Sequence, residues 1–124
     1  MAAADAPRIQ SGEPVALVLG AGGARGFAQI GVIEALQDRG LNIVAVAGSS
    51  IGALLGGLYA SGELAVFREW LLAMSRNDML RLLDPVFGKP ALFGGERLIQ
   101  TLRDSIGSPR IEDLPIDFTA VAVD

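Results

Sequence analysis

The run Val44-Ala-Val-Ala-Gly48-Ser49-Ser50-Ile51-Gly52-Ala-Leu-Leu-Gly56 constrains this chain more than any other stretch. A β-branched apolar run leads into a glycine-flanked turn, and helix formers follow. This pattern predicts a buried strand, a sharp turn and a helix. The turn is Gly-x-Ser-x-Gly, the spacing of a nucleophile elbow. A serine at the tip of so tight a turn sits in strained backbone. Gly48 and Gly52 remove the Cβ atoms that would collide beside it. The hydroxyl of Ser50 then projects above the sheet, and the Ile51 amide, opening the helix, faces a developing oxyanion.

Two other readings of these residues stay open at this level. Residues 41–62 carry no charge, a length that can span a bilayer, and Gly48, Gly52 and Gly56 recur every four residues as in membrane helix pairs. Against this, Gly48-Ser49-Ser50 interrupts the run and no basic cluster flanks it. In a soluble fold, Gly52, Gly56 and Ala60 share one helix face and let it pack close to a sheet. The other reading is a plain strand-turn-helix connection without chemistry.

Composition narrows the classes. The chain of 124 residues is long enough for one small domain. Its 51% hydrophobic content exceeds that of a typical globular domain, which predicts strands buried on both faces and a core whose cover is partly missing. A net charge of −4 is unlike a nucleic-acid footprint and offers no polybasic patch to an anionic membrane. Zero cysteines exclude disulfides and thiolate metal sites, and zero histidines exclude imidazole chemistry within the chain. Residues 1–14 read as a disordered leader without the apolar core of a signal peptide. The compartment is left undetermined, with the cytoplasm favoured.

Val15-Ala-Leu-Val-Leu19, bounded by Pro14 and Gly20, predicts a buried strand. Residues 27–39 carry apolar side chains at 27, 30, 33 and 36, an amphipathic helix stopped by Gly40. Residues 43–47 form the next strand, so the first 47 residues contain a right-handed βαβ unit. A helix over 51–60, a break at 61–63 and a helix over 64–75 follow. In the latter, Phe67, Trp70, Leu71 and Met74 form a stripe expected to pack into the core. Residues 77–95 are irregular, 96–106 helical, and 118–123 a third buried strand.

The first strand is followed by Gly20-Ala-Gly-Gly-Ala-Arg-Gly26. Amides of such a loop, backed by a helix N-terminus, suit either a phosphate or an oxyanion. Counted from Gly20, the third glycine of the dinucleotide fingerprint falls on Arg25. The acidic residue expected after the second strand is replaced by Ala47-Gly48-Ser49. A P-loop is excluded because no Gly-Lys-Ser/Thr follows. A loop needed only for tight packing remains open.

Gly-Gly-x-Arg-Gly after one strand and Gly-x-Ser-x-Gly after the next resemble the bacterial branch of the patatin-like phospholipases. Leu17-Val-Leu-Gly-Ala-Gly-Gly-Ala-Arg-Gly26, Ile30-Gly-Val-Ile33, Ala47-Gly-Ser-Ser-Ile-Gly-Ala53 and Leu58-Tyr-Ala-Ser-Gly62 carry the likeness. It extends from Val15 to the end of the sequence. Two departures stand: Ala21 occupies the family's first glycine position, and Gln29 a position where many bacterial members have histidine.

The resemblance implies an α/β fold, a three-layer sandwich with a mainly parallel sheet, of which residues 15–124 are the N-terminal part. It implies a Ser–Asp dyad with Ser50 as nucleophile. The amides of Gly22, Gly23 and Ala24, joined by Ile51, form the oxyanion hole, and Arg25 helps to hold that loop. The aspartate belongs to an Asp-Gly-Gly or Asp-Gly-Ala motif that these residues do not contain, and Asp124 precedes the place where it is expected. A chain without its base is expected to be inactive alone. The expected substrate is a lipid or other acyl ester, hydrolysed through an acyl-serine without metal or cofactor. Transient contact with a membrane surface is compatible with such a substrate, nucleic acid is not a partner, and the oligomeric state is open. The alternative is a non-catalytic lipid or acyl-chain binding module of the same fold.

Overall fold

The computed structural model describes residues 9–78, 100–104 and 106–123. Strand β1 (Pro14–Leu19) leads through a 3-10 turn (Gly23–Phe27) into helix α1 (Ala28–Asp38). Strand β2 (Asn42–Ser49) is followed directly by helix α2 (Ile51–Ser61) and, after Gly62, by helix α3 (Leu64–Leu72). Strand β3 (Asp117–Val121) completes a parallel sheet of order β1-β2-β3. The α/β class and the parallel sheet are as the sequence predicts.

Local chemistry accounts for these boundaries. Pro14 opens β1, a position where its missing N–H breaks no ladder bond. Gly62 ends α2 in the left-handed conformation, with its N–H bonded to the Tyr59 carbonyl at 3.0 Å. The uncharged residues 41–62 divide into β2 and an eleven-residue α2, and no helix among the described residues is long and apolar enough to cross a membrane. The membrane-span reading of this run is therefore set aside.

Topology decides what is buried. With strands added in sequence order, right-handed crossovers place each connecting helix on the same face of the sheet. Helix α2 lies across all three strands, and α1 and α3 pack against α2. The core forms between these layers from Leu19, Ile30, Ile33, Ile43, Val46, Leu55, Leu58, Phe67 and Leu71. On the opposite face, no helix covers the sheet among the described residues. Val18 is 78% exposed and Val121 54%. Strands β1 and β3 are thus corrected from buried to half-buried: β1 alternates between exposed and covered residues, and β3 covers only Phe118 partly. A continuous apolar run leaves open whether one face or two are packed.

Other differences are smaller. Gly12 N–H bonds to the Gly40 carbonyl at 2.7 Å, and Asn42 N–H to the Glu13 carbonyl at 3.1 Å. Gly12 and Glu13, within the expected leader of residues 1–14, are thus bonded to the chain around β2, and residues 1–8 lie outside the described residues. Helix α3 ends at Leu72, three residues early; Phe67 and Leu71 of the expected stripe are buried and Trp70 half-buried against the core, while Met74 lies past the helix end. Residues 100–104 and 106 are helical, and Leu102 and Ile106 pack against the core. The irregular stretch from residue 79 onward, Glu96 and the rest of 96–99, and Asp124 lie outside the described residues.

Leu55, on α2, is fully buried within the core. Leu55→Ala removes its methyl groups and leaves a cavity, at an expected cost of about 2–5 kcal/mol. A denaturant melt should show the midpoint falling with the slope unchanged; an unchanged midpoint would contradict the packing described.

Candidate active site

The site lies where β1 and β2 end, because a parallel sheet delivers both following loops to one edge. Ser50 joins β2 to α2 with φ 53° and ψ −127°. Among the described residues it is the one non-glycine residue with positive φ. Such backbone costs roughly 1–3 kcal/mol and persists only where its surroundings enforce it. The enforcement is visible on both sides. A Cβ on Gly48 would overlap the backbone of Gly52, and one on Gly52 would overlap the Leu19 carbonyl oxygen. The chain doubles back on itself at the first glycine and touches the end of β1 at the second.

Ser50 is exposed, whereas Ile51 and Gly52 are buried beneath it. The Ser50 carbonyl accepts from Ala53 N–H at 2.9 Å and Leu54 N–H at 3.2 Å, so the helix starts at once. The amides of its first turn have no preceding helical carbonyl and leave a positive end beside the serine. The Ser50 side chain forms no hydrogen bond among the described residues.

The glycine loop reaches the same place. Gly22, Gly23, Ala24 and Arg25 are exposed. Gly22 precedes the 3-10 turn, and Gly23 within it has φ 55°, a value that favours glycine. Gly26 is buried against Ile51; a Cβ there would overlap the Ile51 side chain. Together, Gly26 on Ile51 and Gly52 on Leu19 bring the loop against the start of α2. Phe27 anchors the other end of the loop, its ring 6.3 Å from that of Phe67 on α3. The Arg25 side chain makes no hydrogen bond or ion pair among the described residues, whereas its backbone carbonyl accepts from Ala28 N–H. The contacts seen along the loop come from that carbonyl and from Gly26, Phe27 and Gln29.

Asp117 pairs with Ala45, four residues before Ser49 on β2. At about 3.3 Å per residue this sets it roughly 13 Å back along the sheet from the serine turn. Asp117 is thus at the wrong end to serve as base. Gln29 was noted in the sequence only as a departure from the bacterial pattern. Its amide donates to the Gly20 carbonyl at 3.0 Å, a contact that polar residue type alone does not signal.

The family model of the patatin-like phospholipases matches residues 17–123, which contain both loops. The chain belongs to the patatin-like phospholipase family. A Mycobacterium tuberculosis protein described as an uncharacterized NTE family protein is 48% identical over 117 residues, covering 94% of this chain and 32% of its own length. A patatin-like phospholipase domain-containing protein of Caenorhabditis elegans is 39% identical over 121 residues, and the neuropathy target esterase sws of Drosophila grimshawi 39% identical over 122. The match covers 94% of this chain in both cases, but 9% and 8% of those proteins. The chain spans about a third of the length of its mycobacterial relatives and a small part of the animal ones.

Proposed function

We propose that this chain supplies the nucleophile and oxyanion hole of a lipid acyl hydrolase, with Ser50 attacking the ester carbonyl. The observation that carries the reading is the exposed, strained Ser50 at the mouth of α2, with the glycine loop packed beside it. The phospholipase and esterase names of the relatives support an acyl-ester substrate. Attack by the Ser50 hydroxyl forms a tetrahedral oxyanion. The amides of Ile51 and of residues 22–24 are the donors to that charge, and collapse expels the alcohol and leaves an acyl-serine that water hydrolyses. The base that takes the serine proton is an aspartate of an Asp-Gly-Gly or Asp-Gly-Ala motif, which the present sequence does not include.

The expected result with an active-serine phosphonate probe is a stoichiometric adduct on Ser50 of the full-length protein. A probe adduct on another residue, or none, would remove the assignment.

The second reading, an acyl-chain binding module, draws on a separate feature. An apolar groove of about 100 Å³ lies between α3 and the helical segment around Leu102, lined by Leu58, Phe67, Trp70, Leu102 and Ile106. Leu58 is eight residues beyond Ser50 on α2, roughly 12 Å along the helix. Binding of a fluorescent fatty acid without any phosphonate adduct would favour the module over the enzyme.

A further inference from the structure

The loop between β1 and α1 carries three glycines before Ala24, so several of its peptide planes can flip at little steric cost. A useful oxyanion hole needs those planes fixed before charge develops. Strand β1 ends at Leu19, and the 3-10 turn begins at Gly23. Between them, among the described residues, no loop-type backbone hydrogen bond falls on residues 20–22. One side chain spans the gap. Gln29, in the first turn of α1, donates from Nε2 to the Gly20 carbonyl at 3.0 Å.

We infer that Gln29 is the positioning residue of the glycine loop. Its bond closes residues 20–29 into a ring and fixes the plane of the peptide that follows Gly20. That plane sets the direction of the chain entering Gly22 and Gly23. The absence of a side chain at Gly26 makes room for this reach: a Cβ there would lie 3.3 Å from Gln29 Nε2. Gln29 is half-buried and does not touch Ser50 in any bond described, so it acts through the loop. The catalytic half of the inference rests on the reading of Ser50 given above.

The test uses Gln29→Met, which keeps the length and removes the donor, and Gln29→His, which keeps a ring N–H donor. In the full-length protein, Gln29→Met is expected to lower kcat on a p-nitrophenyl ester about tenfold, as loss of one hydrogen bond permits, with KM within about twofold. Gln29→His should recover most of the loss. Amide hydrogen exchange over residues 21–24 should quicken in Gln29→Met and return toward the unsubstituted rate in Gln29→His, independently of turnover. Unchanged exchange and unchanged kcat in Gln29→Met would overturn the inference, as would a loss confined to KM. If the unsubstituted protein neither turns over ester nor takes the phosphonate on Ser50, the reading of Ser50 falls and the catalytic half falls with it. The exchange arm then still decides whether Gln29 holds the loop.

Discussion

Ser50→Ala is expected to abolish esterase activity of the full-length protein while leaving its stability within about 0.5 kcal/mol, since only an exposed hydroxyl is deleted. Ser49→Ala, its neighbour on the strand side of the turn, should keep most activity. A third variant separates chemistry from strain. Ser50→Gly removes the same hydroxyl but also the Cβ that makes φ 53° costly. Relief of roughly 1–3 kcal/mol of strain, offset by about 0.5–1 kcal/mol of added unfolded-state freedom, leaves an expected gain near 1 kcal/mol. The result would be a protein more stable than the original and inert. Retained turnover in either Ser50 variant would end the nucleophile assignment, and a Ser50→Gly protein less stable than Ser50→Ala would remove the strain argument.

The second large effect is expected at Gly23. Its φ of 55° lies where a β-branched residue is least at ease, and no atom stands within 4 Å of where its Cβ would be. A Cβ added at residue 23 therefore meets no neighbour; the penalty of Gly23→Val is one of backbone, and it is relieved by turning the local peptide. If the amides of residues 22–24 meet charge present mainly in the transition state, that turn should lower kcat about 100- to 1,000-fold with little change in KM. Asparagine tolerates the left-handed region, so Gly23→Asn should lose far less. Equal losses in the two variants would point to the side chain rather than the backbone. A change in KM alone would make the loop a binding feature. Circular dichroism of each variant confirms that the comparison is between folded proteins.

Much of this site was legible because its determinants are local. The turn at Ser50 needs no distant partner to be recognised: Gly48 and Gly52 permit it, and the change from a strand run to a helix run marks it. The break at Gly62 is legible for the same reason. The stripe of Phe67, Trp70 and Leu71 announces its face through helical spacing alone. The nakedness of one sheet face was hidden, because Val18 in a wholly apolar run looks the same whether or not a layer covers it. Only the strand order, which places the described helices on one side, reveals it. Gln29 was hidden differently. A glutamine in a first helical turn is ordinary, and its importance lies in a carbonyl nine residues earlier that the loop folds back to meet.

The pairing of β1 with β2 has a slip in it: Val15 sits opposite Ile43, but Ala16 sits opposite Ala45, so Val44 has no counterpart. On either side of the slip the helix-facing residues are Ile43 and then Val46 and Gly48, which strict alternation could not deliver. The strand is therefore counted from two origins. Everything from Ala45 onward, including its register with Asp117 on β3 and the turn at Ser50, keeps its own count, and the surplus residue at Val44 absorbs any mismatch with what precedes it. The reacting end of the strand is in this sense uncoupled from the length of chain that leads to it. A lineage could lengthen or shorten the approach by a residue at Val44 and still present the same hydroxyl on the same face.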